Sequence, residues 1–183
     1  MRFANPHPGD PRHGIGPRSA DGCSSARDGA NRLNLLLSYA GWDDNPWVDR
    51  LPRLLDPMGV RSHRAADAGE ASRVIDRNTI HIAVVDLALP MDSEDATLEA
   101  GPRLLELLGR LASPPPTLVI KRGRTAREDH REMAAALRAG AFAVLDRPKQ
   151  HRDVETLLEL LRRILSRYYA DRWPDPPPIE PRT

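Results

Sequence analysis

Along the chain, short apolar runs alternate with longer stretches of helical period. Residues 33–40 (LNLLLSYA) make an apolar run of strand length. A helical stretch, NPWVDRLPRLLDPMG, follows. Pro46 suits its first turn, but Pro52 does not suit a helix interior, so a kink or a late start is expected. VRSHRAA (60–66) reads as a weak strand and AGEASRVIDRN as a helix. IHIAVVDLAL (80–89) is the strongest strand, β-branched and apolar on both faces. Polar MDSEDATLEA leads into the helix GPRLLELLGRL, then the strand TLVIK and the helix REDHREMAAALRAG, with Gly140 placed to end it. FAVLD is a short strand. RDVETLLELLRRILSRYYADRW is a long last helix, with Val154, Leu157, Leu158, Leu161, Ile164 and Leu165 on one stripe.

Five βα units in a row imply an α/β domain: a doubly wound five-stranded parallel sheet with helices on both faces, in three layers. In such sheets ligands bind beyond the C-terminal ends of the strands. There the sequence places Asp86 after the third strand, Lys121 after the fourth, Arg147 after the fifth, and Asp43 and Asp44 after the first. Three converging carboxylates repel one another unless a cation intervenes. Magnesium could supply it through oxygen ligands, or the protein's own Lys and Arg could.

The flanks differ from this pattern. The first 32 residues are rich in Gly, Pro, Ser, Arg and Asp without apolar period, and residues 171–183 are punctuated by proline; both read as disordered tails around a folded part at 33–170. No stretch is apolar enough to span a membrane, and the N-terminus has no apolar signal core, so a cytoplasmic protein is expected. The single cysteine, Cys23, excludes an internal disulfide framework and a multi-cysteine zinc site. A formal charge of +1 and few aromatics weigh against nucleic acid as a partner. Only two of the 27 basic residues are lysine, and one of these, Lys121, falls at a strand end facing the crevice.

VVDLALP, GPRLLELLGRL and GAFAVLDRP, in this order and within five βα units, resemble the receiver domain of bacterial response regulators over residues 33 to about 168. The resemblance implies a flavodoxin-like sheet and a two-component or phosphorelay function. It makes Asp86 the phosphoacceptor, a carboxylate nucleophile. It also implies an acidic pair that holds Mg2+ and neutralises charge during transfer. Asp43 and Asp44 precede Asp86 by 43 and 42 residues, near the family's spacing. If strand register decides instead, Ser38 and Tyr39 take the acidic positions and the metal site is lost. Two further positions depart from the family. Lys121, or Arg122 one residue further on, stands where a Ser or Thr hydroxyl is expected, and Arg147 replaces a lysine, keeping the charge on a forked group. The segment after Asp86 is longer than usual by roughly seven residues.

Three arrangements of Lys121 remain open at this point: a standing pair with Asp86, a phosphoryl contact, or solvent. The leading expectation is a stand-alone receiver-like signalling domain, a non-enzyme with a degenerate phosphoacceptor site. It would act through protein partners, among them a histidine kinase, or as a homodimer through its fourth helix, fifth strand and fifth helix. The alternative is a small doubly wound phosphotransferase or hydrolase using Asp86. Against it stands the lack of P-loop, G-x-S-x-G and G-x-G-x-x-G motifs. Lys149 is expected on an exposed loop and His81 packed, while Arg162, Arg163 and Arg167 form a basic strip on the last helix.

Overall fold

A computed structural model describes residues 32–40, 46–92, 98–123 and 125–170. The two tails, Cys23, Trp42, Asp43 and Asp44 lie outside the described residues. The elements are β1 (Leu33–Ser38), α1 (Pro46–Leu55), a short 3-10 turn, β2 (Val60–Ala65), α2 (Ala68–Arg77), β3 (Ile82–Asp86), α3 (Gly101–Gly109), β4 (Thr117–Lys121), α4 (Ala126–Arg138), β5 (Ala143–Asp146) and α5 (His151–Tyr168). The sheet is parallel throughout, in the order β2-β1-β3-β4-β5. This is the doubly wound arrangement expected from the alternation of strands and helices.

Strand alternation sorts the core into two layers. On one face Leu35, Leu37, Ile82, Val84, Leu118 and Ile120 pack against Leu51 and Leu55 of α1 and the α5 stripe, in which Val154, Leu157, Leu161, Ile164 and Leu165 are buried. On the other, Leu36, Ala83 and Val85 meet Ala71 of α2 and Leu104 and Leu108 of α3. Val119 meets Leu105 and Ala136 there.

Three boundaries differ from expectation. α1 starts at Pro46 and runs through Pro52 without a late start. Burial of Leu51 and Leu55 on its inner face offsets the hydrogen bond that Pro52 cannot make. β3 is shorter than the apolar run: it begins after His81 and ends at Asp86, where the Asp86 carboxylate takes the Ala88 N–H and turns the chain. The last helix closes at Tyr168, five residues before the end of its expected stretch, and Tyr169 folds back with its hydroxyl on the His81 carbonyl at 2.6 Å. Gly140 does end α4, with a φ of 94° that favours glycine.

Candidate functional site

Asp86 closes β3 at the crevice, yet it is fully buried. An isolated buried carboxylate would be costly, so its partners decide what the site can do. Oδ2 accepts from Arg147 at 2.8 Å and from the Ala40 N–H at 3.3 Å, and Oδ1 accepts from the Ala88 N–H at 2.9 Å. The Arg147 contact is a charge-assisted bond inside a poorly solvated pocket. Beneath it, the buried Ser38 hydroxyl donates to the Val84 carbonyl and accepts the Asp86 N–H, at 3.2 and 3.3 Å. Ser38 therefore braces the backbone that carries the carboxylate, a role that no spacing pattern signals.

Gly101, at the start of α3, was also missed. A Cβ there would come within 2.4 Å of the Asp86 carbonyl oxygen and 2.5 Å of Leu87 Cα. The close seat of α3 on the end of β3 thus requires glycine.

Lys121 neither reaches Asp86 nor points to solvent. Its ammonium lies 2.5 Å from Asp129 of α4 and 2.7 Å from Asp146 of β5. The hydrogen bonds it donates to Asp129 first and Asp146 second hold its pKa above the ordinary lysine value. Of the three arrangements open for Lys121, neither the pair with Asp86 nor the solvent-facing side chain occurs: register places Lys121 opposite Asp146, and the cation that reaches Asp86 is Arg147. Arg122 beside it pairs with Glu99 and with Glu132 of α4. Lys149 is exposed, as expected, and so are Arg162, Arg163 and Arg167; His81 is packed, its Nδ1 accepting from the Asn34 N–H at 3.0 Å.

The implied magnesium site can be tested against these residues. Leu37 lies opposite Val84, so the chain leaving β1 reaches the level of Asp86 at Tyr39. Ser38 thus ends the strand and Tyr39 follows it directly. The Ser38 hydroxyl is engaged, and the Tyr39 ring packs on the apolar core. Among the described residues, no group of three His, Cys, Asp or Glu side chains could hold a metal ion. Among the described residues the crevice thus offers one carboxylate, Asp86, already paired with a guanidinium, and Asp43 and Asp44 lie outside them.

No protein-family model and no curated protein matches the sequence. Solved structures do match. A CheY-like response regulator receiver domain from Methanospirillum hungatei is 23% identical with a TM-score of 0.54, over 74% of this chain and 98% of that one. The signal receiver domain of an HD domain-containing protein from Pseudomonas fluorescens is 22% identical with a TM-score of 0.59, over 78% and 93%. The chain has the receiver fold. A two-component response regulator from Clostridium difficile, 19% identical with a TM-score of 0.58 over 75% and 99%, shares it. Within this receiver fold Asp86 takes the place at the end of β3 from which the resemblance expects a phosphoacceptor. Among the described residues, no helix is long and apolar enough to cross a membrane.

Proposed function

We propose that this receiver-fold domain is a signalling module that binds other proteins in the cytoplasm, and that it does so without phosphate on Asp86. The supporting observation is the Arg147–Asp86 ion pair, with the carboxylate buried and both its oxygens taken. An acceptor must present a free oxygen lone pair in line with the phosphorus of the donor. Here Oδ2 already accepts from the guanidinium and the Ala40 N–H and Oδ1 from the Ala88 N–H, which leaves a single lone-pair site in a buried pocket, and no group of metal-binding side chains stands there among the described residues. The domain is accordingly a binding module and not a catalyst. Its partners are signalling proteins, a histidine kinase among the candidates. Leu137 on α4 and Tyr168 at the end of α5 are exposed apolar residues, available to a partner or to a second copy.

Incubation of the full chain with acetyl phosphate and magnesium, followed by intact mass, tests the reading. The expected result is no adduct. A phosphoryl adduct on the parent protein that is lost in Asp86→Asn would overturn it.

A further inference from the structure

Lys121 and Arg122 are neighbours at the end of β4, and each grips carboxylates from two different elements. Lys121 joins Asp129 of α4 to Asp146 of β5. Arg122 reaches Glu132, further along α4, at 3.2 Å, and also pairs with Glu99 from the segment between β3 and α3. Asp129 and Glu132 are three residues apart and so share one face of α4.

Glu99 is itself fixed to the segment that leaves Asp86. Pro90 and Glu99 form an antiparallel bridge, Met91 N–H donates to the Leu98 carbonyl at 2.8 Å, and Ala100 N–H donates to Leu89 at 2.7 Å. Apolar packing holds α4 only lightly, since Ala136 is its one buried residue among those described. The ion pairs on its inner face are mostly shielded: the Arg122 side chain is 18% exposed and that of Glu132 21%. Pairs shielded to this degree constrain geometry more than surface pairs do.

We infer that Lys121 and Arg122 form a charge hub that couples the β3–α3 segment to the seat of α4, with no phosphate involved. The inference rests on the phosphate-independent reading above and names how that site is regulated. Displacing Glu99, as a partner bound to the β3–α3 segment would, loosens α4 through Arg122, the guanidinium that Glu99 and Glu132 both pair with.

Hydrogen exchange of the full chain, never exposed to a phosphodonor, tests the coupling. In Glu99→Gln the amides of α4 are expected to exchange about tenfold faster than in the parent, with those of β1 and β3 unchanged. Arg122→Met should reproduce the effect. Glu159→Gln, which removes the exposed Glu159–Arg163 pair on α5, should leave α4 within about twofold of the parent. Exchange of α4 in Glu99→Gln within that margin would overturn the hub. So would an equal acceleration across β1 and β3, because it would report global destabilisation. A phosphoryl adduct on Asp86 would sink the proposed function and leave this result standing; unchanged α4 exchange would do the reverse.

Discussion

Removing Arg147 and removing Asp86 should have unequal costs. The Asp86 side chain is 1% exposed and that of Arg147 19%. In Arg147→Met the carboxylate keeps two backbone N–H groups but loses its cation, and it has almost no route to water. Breaking a buried pair in this way costs about 3–5 kcal/mol, and the two surviving hydrogen bonds place the value at the lower end. In Asp86→Asn the stranded group is a guanidinium already partly at the surface. It can turn to solvent, and the side-chain amide oxygen still accepts one N–H, so a loss of about 1–2 kcal/mol is expected. In the double variant neither charge is buried alone, so its cost should fall below the sum of the two by at least about 1 kcal/mol. Urea unfolding at neutral pH reads all three. With a slope of about 1–3 kcal/mol per molar urea, a 3 kcal/mol loss moves the midpoint by about 1–3 M. The reasoning fails if Asp86→Asn is the more damaging single change, or if the two substitutions are additive.

Three further outcomes follow from the packing. Gly101→Ala forces a methyl group onto the Asp86 and Leu87 backbone and should cost about 1–3 kcal/mol or more, measured by the same unfolding curves. Pro52→Ala should raise stability by about 2 kcal/mol, because the ~3 kcal/mol cost of an interior proline exceeds the ~1 kcal/mol it saves in unfolded-chain entropy. Burial first, and the charge of Arg61 second, hold the pKa of His63 below 6.5. The folded state therefore favours neutral His63: its contribution is complete above pH 6.5 and is lost as pH falls through the depressed folded value. A thermal midpoint that declines on acidification, with a smaller decline in His63→Gln, would bear this out.

The layers and order of the fold were legible because periodicity reports burial, and burial is what the sheet and its helices share. β4 is identical in extent to the run TLVIK. The same reasoning overextended β3, since Leu87 and Leu89 are as apolar and as buried as strand residues while the backbone has already turned. Asp86 and Arg147 could be placed at the crevice from their positions after strands. Their pairing could not, because Lys121 offers the same charge one strand nearer and only register and side-chain direction separate the two. Ser38 carries no charge or motif, and Gly101 figures only as the first residue of GPRLLELLGRL. Their roles lie in a hydroxyl placed between two backbone groups and in the absence of a Cβ where two backbones meet, and neither is visible until the chain is folded. Arg122 stands out in the sequence only as the alternative to Lys121 at the hydroxyl position, and Glu99 and Glu132, its partners, are two acids among many.

The most direct test of the occupied Asp86 site is an amide spectrum of the isotopically labelled full chain before and after addition of beryllium fluoride with magnesium, a mimic of the phosphoryl group on a carboxylate. With Arg147 and the Ala40 and Ala88 N–H groups already on Asp86, those two amides and the amides of α4 should stay where they are. Saturable shifts of Ala40 and Ala88 that carry into α4, and that vanish in Asp86→Asn, would show an exchangeable acceptor and contradict the account.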